Sequence, residues 1–158
     1  RLGWARLTNG HDELILVTKQ GQAIRFKESE IRAMGRQAAG VHAMRLKKGD
    51  EVVGMDVIAH GNAKAKEEKI LVMMENGFGK QTSLKQYKTQ KRGGVGVVDL
   101  NTKEEDVVTT LLTTSAHSDL LFFTDKGKVY QSKMYEIPEG RRATRGKSIM
   151  NFLSMAQE

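Results

Sequence analysis

The chain lacks cysteine, contains a single proline and has few aromatic residues, which account for 6% of its 158 positions. The absence of cysteine excludes a disulfide framework, a zinc ribbon and a thiol nucleophile. No apolar run approaches the roughly 18 residues of a membrane-spanning helix, and residues 1–10 show no secretory signal. The four histidines never fall at metal-binding spacing. We therefore expect a cytoplasmic globular domain without a metal site.

Positive charge is in excess and unevenly distributed. Lysine and arginine number 26 against 19 aspartates and glutamates, a net charge of +7, which favours a polyanionic partner. Residues 80–92 hold five cations and no acid, residues 125–147 hold seven cations and three acids, and residues 19–36 hold five cations and two acids. Three basic tracts separated by acidic residues suggest a repeat.

The spacing of glycine and arginine establishes that repeat. The glycines that follow the three strongly apolar runs are 56 and 50 residues apart: Gly21, Gly77 and Gly127. A second glycine lies 19 residues after each of them, at Gly40, Gly96 and Gly146, and an arginine lies four residues before each second glycine, at Arg36, Arg92 and Arg142. The pattern predicts tandem units of about 50 residues, with the six-residue difference explained by a loop insertion at 61–66.

Each unit has a β pattern. A short apolar run ends at a turn glycine, and a return strand follows, which is typical of a tight hairpin. We predict third strands at 41–46, 97–100 and 148–153, and fourth strands at 52–57 and 107–112. Short stretches such as 28–34 could form a helical turn, but no helical period extends over ten residues. Four short strands per unit predict an all-β, propeller-type array of four-stranded antiparallel blades.

The blade boundaries follow from the repeat. We expect the last strand of a preceding blade in 1–10, because 2–5 lies 50 residues before 52–55, and then blades at 11–60, 61–116 and 117–158. The third blade would stop before its last strand. Because propellers close with about four to eight blades, we interpret the chain as a single repeat domain that forms part of a larger ring. A complete but open or self-associating three-blade array is the alternative.

The most specific motif is the glycine-rich segment 87–96. Three glycines in four residues, Gly93, Gly94 and Gly96, let the backbone approach a phosphate chain closely. The preceding Lys91 and Arg92 supply charge, and arginine can grip a phosphate with two hydrogen bonds. A flexible turn with solvated cations is the simpler alternative, but the corresponding loops of the other units are basic as well.

Residues 90–96, Gln-Lys-Arg-Gly-Gly-Val-Gly, closely resemble the seven-residue Gln-Arg-Arg-Gly-Gly-Arg/Lys-Gly box in the C-terminal domains of bacterial DNA gyrase A subunits. The segment occupies the matching place, between the second and third strands of a blade. Segments 17–26, 32–36, 121–130 and 135–139 are similar too, so the resemblance covers essentially the whole chain. It departs from the box at Lys91, which keeps the charge but loses the forked donor, and at Val95, which removes a cation.

The resemblance implies a β-pinwheel, which looks like a propeller but exchanges strands between neighbouring blades. It also implies wrapping of double-stranded DNA with little sequence preference, so that the whole enzyme introduces negative supercoils using ATP. The chain would then work with the rest of the gyrase A subunit and the B subunit in an A2B2 heterotetramer, in the bacterial cytoplasm at the nucleoid. ATP and Mg would belong to that holoenzyme, and this domain would have no cofactor or catalytic residue of its own.

Two alternatives remain open. Topoisomerase IV, the sister family, has similar blades with a degenerate or absent box. A protein-binding propeller module would need an apolar or mixed-charge recognition face, which the low aromatic content and the periodic cations disfavour. We predict a stripe of DNA-contacting residues along one edge of the repeat, comprising Gln90, Lys91, Arg92, Gly93, Gly94, Gly96, Lys80, Lys85, Lys88, Arg36, Arg32, Arg25, Arg141, Arg142, Arg145, Lys147 and Lys128.

Overall fold

The fold is built from antiparallel β-hairpins. The computed structural model describes residues 2–60, 68–102 and 106–153, and no α-helix occurs in these ranges. None of the helical turns there is long and apolar enough to cross a membrane. The strands are β1 (Glu13–Thr18), β2 (Gln22–Lys27), β3 (Val52–Ile58), β4 (Glu68–Met74), β5 (Phe78–Ser83), β6 (Val97–Val98), β7 (Val108–Ser115), β8 (Asp119–Phe123), β9 (Val129–Lys133) and β10 (Lys147–Ser148).

One hairpin forms the centre of each unit, as predicted. The pairs β1–β2, β4–β5 and β8–β9 are antiparallel. Their turn glycines, Gly21, Gly77 and Gly127, have φ values of 76°, 73° and 74°, a conformation that side chains with a Cβ rarely adopt. A 3-10 turn follows each return strand, at Glu28–Glu30, Leu84–Gln86 and Met134–Glu136. The repeat seen in the sequence therefore corresponds to a repeated structural unit, a hairpin followed by a 3-10 turn.

Neighbouring units exchange their third strands. The first sheet has the order β3-β1-β2-β6 and the second has the order β10-β5-β4-β7, whereas β8 and β9 form a two-stranded sheet. The strand β6 follows β5 in the chain but pairs with β2, with Val97 opposite Ala23. The strand β10 pairs in the same way with β5, with Lys147 opposite Gly79. Each of the first two units is thus completed by a strand from the unit that follows it.

A shared apolar core fixes the first two units against each other. It combines Ile15 and Val17 of β1, Ile70 and Val72 of β4, and Val108 of β7, all at most 1% exposed. Burial of such side chains contributes about 1.5–3 kcal/mol each, which stabilises the packing of the two sheets against each other.

Three predicted strands differ from the structure. Residues 41–46 are not a strand, because a third strand forms by pairing with the return strand of the preceding unit, and the described residues contain none before β1. Residues 2–5, which were expected to be the last strand of a preceding blade, are not a strand either. The fourth strands β3 and β7 pair with the first strand of their own unit, so strand exchange does not account for residues 2–5. At 148–153 only Lys147–Ser148 pairs, and a 3-10 turn, Ile149–Asn151, follows. The proposed insertion at 61–66 lies outside the described residues.

Candidate nucleic-acid interface

The box segment forms the loop between β5 and β6, the place that its sequence predicted. Its backbone binds the preceding unit: the Gly93 N–H donates to the Ala43 carbonyl at 2.8 Å, and the Gly94 carbonyl accepts from the Arg45 N–H at 2.8 Å. Gly96 has a φ of 74°, and a Cβ there would lie 2.4 Å from the Ala23 carbonyl oxygen. The glycines therefore allow one unit to seat its loop against the backbone of another.

Arg92 helps to hold this joint. Its backbone N–H donates to Oε2 of Glu30 at 2.7 Å, and its Nη1 donates to the carbonyl of His42 at 2.6 Å. The next unit repeats the arrangement, because the Arg142 N–H donates to Oε1 of Gln86 at 3.0 Å and its Nη1 to the carbonyl of Val98 at 3.2 Å. The repeated arginine is thus a clamp between units, and Arg92 and Arg142 are only partly exposed.

The remaining predicted cations differ in exposure. Those that lie on the surface are Arg32, Arg36, Lys85, Lys88, Lys91, Lys128, Arg141 and Lys147. Gln90, Gly93, Gly94 and Gly96 are partly exposed within the box loop. Lys88 and Lys91 lie on the loop between β5 and β6, and Arg141 and Lys147 lie on or beside the corresponding loop of the third unit. Lys85 lies in the preceding 3-10 turn, whereas Lys128 lies in the β8–β9 turn and so outside these loops. Lys91 and Arg141 recur at the same place in successive units.

Lys80 was wrongly predicted to contact DNA. Lys80 is 0% exposed, and its ammonium donates to the carbonyls of Asp99 at 2.7 Å and Arg141 at 2.8 Å. Tyr87 and Asp99, at 1% and 0% exposure, complete the cluster, with the tyrosine hydroxyl donating to Oδ1 of Asp99. An ammonium enclosed by these groups has no path to a phosphate.

Burial controls the ionisation of this cluster. Removal from water lowers the pKa of Lys80, which the nearby Asp99 partly offsets. Burial likewise raises the pKa of the Asp99 carboxyl, against the opposing effects of Tyr87 and Lys80. The Tyr87 hydroxyl has a pKa well above its usual range because of burial and the neighbouring carboxylate, so it remains a donor.

Two arginines are also committed to internal contacts. Arg25 forms an ion pair with Glu13, and its Nη1 donates to the carbonyls of Leu84 at 3.2 Å and Tyr87 at 3.0 Å. The Cζ atom of Arg145 lies 3.6 Å from the centroid of the Phe78 ring, and its Nη2 lies 3.3 Å from Oδ2 of Asp106. The guanidinium groups of Arg25 and Arg145 thus join neighbouring segments of the fold, and both side chains are only partly exposed.

Sequence reasoning missed the residues that receive these bonds. Glu30 and Gln86, which hold the loop arginines, are 56 residues apart and so obey the repeat. Applying the spacing to acceptors as well as to cations could have found them. Asp99 gave no such signal, because Ala43 stands at its position in the first unit.

A family model described as the DNA gyrase C-terminal domain, beta-propeller, matches residues 12–59, 68–115 and 118–153. The chain belongs to this family. The DNA gyrase A subunits of Staphylococcus aureus strains MRSA252 and NCTC 8325 are 37% identical over 142 residues, which are 89% of the chain but only 16% of those proteins. The chain therefore spans about a sixth of the length of these relatives.

Solved structures of related domains have the same fold as this gyrase C-terminal domain family member. The C-terminal domain of DNA topoisomerase IV superposes with a TM-score of 0.80 at 30% identity, covering 91% of this chain and 44% of that one. A DNA gyrase A C-terminal domain gives a TM-score of 0.70 at 23% identity, covering 88% and 43%. These likenesses confirm the β-pinwheel predicted from the sequence.

Proposed function

We propose that this chain binds duplex DNA through its phosphates, using the exposed cations on the loops between return strands and third strands. The observation that carries the proposal is the repeated joint at Arg92 and Arg142, which fixes two basic loops at equivalent positions. Lys88 and Lys91 are exposed on the first of these loops, and Arg141 and Lys147 lie on or beside the second. Arg32 and Arg36 extend the series in the first unit.

Phosphate contact explains the chemistry of these loops. Exposed lysines and arginines neutralise phosphates and release condensed counterions, which gives affinity without reading the bases. Fixed loops lose little conformational freedom when the DNA binds. Bending a duplex along successive units costs about 1–6 kcal/mol for a moderate bend, which additional phosphate contacts offset.

Family membership supplies the larger role that we propose. The chain would wrap DNA as part of a gyrase A subunit, in an A2B2 assembly with a B subunit that binds ATP, in the cytoplasm at the nucleoid. The wrap would present a distal DNA segment to the cleavage gate, so that the holoenzyme introduces negative supercoils. The part of the chain that we describe would contribute DNA binding to this reaction and no covalent chemistry.

A topoisomerase IV-type role is the second candidate. The observation that favours it is the close superposition on that enzyme's C-terminal domain, at a TM-score of 0.80. The loss of a box cation at Val95, which is 56% exposed, points the same way. In that case the chain would bind DNA without driving supercoiling.

Binding to two duplexes of equal length and unrelated sequence tests the first level of the proposal. We expect equal affinity for both at the same salt concentration, because phosphates carry the contacts. Strong preference for one duplex would contradict phosphate recognition. Failure to bind either duplex would favour the protein-binding propeller instead.

Replacement of Lys88 and Lys91 by alanine in the intact gyrase protein tests the second level, because it removes two exposed cations of the box loop and keeps the glycines and Arg92 that hold the joint. We expect loss of supercoiling, with ATP-dependent relaxation and decatenation retained, because only supercoiling needs the wrap. A matched replacement of the exposed Lys47 and Lys48, at the far end of the β1–β2 hairpin, should leave all three activities unchanged. Supercoiling that survives replacement of both loop lysines would assign the chain to the topoisomerase IV type.

A further inference from the structure

Lys80 is a buried cation of the second unit, and it reaches the basic loop of the third. Its ammonium lies 2.8 Å from the carbonyl oxygen of Arg141, whose own side chain is exposed. A Cβ at Gly140 would lie 2.9 Å from Cδ of Lys80, so the loop backbone packs directly on the lysine stem. The buried side chain therefore sits immediately beneath a surface arginine.

Asp99 makes this contact part of a network. Its carbonyl accepts from the Lys80 ammonium at 2.7 Å and from the Ala143 N–H at 2.6 Å, while its Oδ1 lies 3.9 Å from the ammonium. The same carboxylate oxygen accepts the Tyr87 hydroxyl. Lys80 thus connects the end of the exchanged strand of its own unit to residues 141–143 of the following unit.

The first unit forms the corresponding joint without buried charge. At the repeat spacing of 56, Ile24 stands in place of Lys80 and Ala43 in place of Asp99. There the box loop follows the same course, and the Gly93 N–H donates to the Ala43 carbonyl at 2.8 Å. Apolar residues can often replace a buried ion pair without loss of stability, so the first unit shows how the joint can form without Lys80 and Asp99.

The box loop and the loop of the third unit differ in the hydrogen bonds to the residue that precedes the repeated arginine. Lys91 and Arg141 occupy this position in successive loops, 50 residues apart. The Arg141 carbonyl is bound by the Lys80 ammonium and by the Thr144 hydroxyl at 2.7 Å. An ammonium bonded to that carbonyl restricts the backbone rotation that would turn the exposed guanidinium away.

We propose that Lys80 is a positioning residue for DNA binding, which holds the Arg141 backbone so that its guanidinium meets a phosphate. The inference rests on the proposed phosphate contact of this loop. Lys80 would then have a measurable effect on DNA affinity although it has no access to the DNA. The effect would be specific to the loop of the third unit, since the box loop sits over Ile24.

The variant Lys80→Ile/Asp99→Ala tests the proposal by giving the second unit the two residues of the first. We expect a folded protein in which amide exchange at Ala143 is faster, while exchange at Gly93 is unchanged. The slope of log affinity against log salt should shrink by up to about 0.9, the value of one phosphate contact. In the original protein, Arg141→Ala should reduce the slope by the same amount as the double variant does. In the double variant, Arg141→Ala should cause no further reduction.

The outcomes separate this proposal from the proposed function. If Arg141→Ala leaves the original slope unchanged, the loop makes no phosphate contact there, and both ideas fail at this loop. If Arg141→Ala reduces the slope but the double variant binds as the original does, only the role of Lys80 is wrong. Should the double variant not fold, Lys80→Met/Asp99→Asn keeps the side-chain volumes and is subject to the same two comparisons. In the original protein, an Ala143 amide that exchanges far faster than the Gly93 amide would also overturn the proposal.

Discussion

Gly93 and Ala143 occupy the same position in successive loops, and both adopt the left-handed backbone conformation, with φ values of 81° and 65°. Each donates its N–H to a carbonyl of the preceding unit, at Ala43 and Asp99 respectively. The joint thus requires this conformation even where the sequence supplies alanine. Ala143 is the one non-glycine residue with positive φ in the described ranges.

This relationship predicts opposite effects of opposite substitutions. Ala143→Gly should raise the free energy of unfolding by up to about 1 kcal/mol, because glycine adopts positive φ without steric cost. The greater conformational freedom of glycine in the unfolded chain offsets part of this gain. Gly93→Ala should lower it by about 1 kcal/mol, since a Cβ there meets nothing closer than the His42 carbonyl at 3.8 Å. Urea unfolding of both variants measures these changes, and effects of the same sign would contradict the account.

Gly96 should tolerate a side chain less well than Gly93. Gly96→Ala adds a steric clash to the backbone strain, because the new Cβ would lie 2.4 Å from the Ala23 carbonyl oxygen. We expect a loss of about 2–4 kcal/mol, the range for overpacking combined with an unfavourable backbone. Gly35→Ala is the matched control, since nothing lies within 4 Å of that position and its φ is not left-handed. Equal stability of the Gly96 and Gly35 variants would show that the joint is looser than described.

Lys91 and Arg92 are adjacent but should act differently. Lys91→Ala removes an exposed ammonium, so the salt slope should fall by about 0.9 with no change in stability. Arg92→Ala removes the hydrogen bond to the His42 carbonyl and should lower the free energy of unfolding by about 1–2 kcal/mol. Denaturant unfolding and DNA titration of the same two proteins test the distinction, which a stable Arg92→Ala protein would refute.

Val95→Arg should restore a cation to the box loop. The side chain of Val95 is 56% exposed, so an arginine can extend into solvent without disturbing the fold. We expect tighter DNA binding and a salt slope steeper by up to about one unit. Val95→Gln, of similar length and without charge, is the control. If the arginine variant kept the original slope and affinity, the box loop would face away from the DNA.

Asp99→Asn should change the pH dependence of stability. Burial raises the folded-state pKa of Asp99, so the stability linked to its protonated form is present at low pH and lost as pH rises through that value. Asparagine does not titrate but can still accept the Tyr87 hydroxyl. The free energy of unfolding of the original protein, relative to the variant, should therefore fall as pH rises above the usual range of an aspartate. A difference that increased with pH would contradict this assignment.

Much of the fold was predictable because backbone geometry appears directly in the sequence. Gly21, Gly77 and Gly127 mark turns that need positive φ, and their spacing gave the period of the hairpins. The exchanged strands were harder to place, since the sequence shows a strand at 97–98 but not that β2 of another unit is its partner. Val41 illustrates the limit: its segment has the pattern of a strand and forms none without a partner strand.

The position of the basic loops was predictable, whereas the exposure of their cations was predictable only in part. Counting cations located the box loop and the loop at 141–147, but a count cannot distinguish an exposed Lys91 from a buried Lys80. That distinction depends on packing between units, which brings the carbonyls of Asp99 and Arg141 to the ammonium of Lys80. Comparing equivalent positions offers a partial signal, since a lysine in place of Ile24 indicates a buried site.

Salt-dependent duplex binding of two matched double variants tests the central claim most directly. Lys88→Ala/Lys91→Ala removes two exposed cations from the box loop, and Lys47→Ala/Lys48→Ala removes two exposed cations from the opposite end of the β1–β2 hairpin. Both variants lower the net charge equally. The account predicts a slope reduced by about 1.8 in the first variant, at about 0.9 per contact, and unchanged in the second. Equal slopes in the two variants would contradict a DNA-binding surface built on these loops.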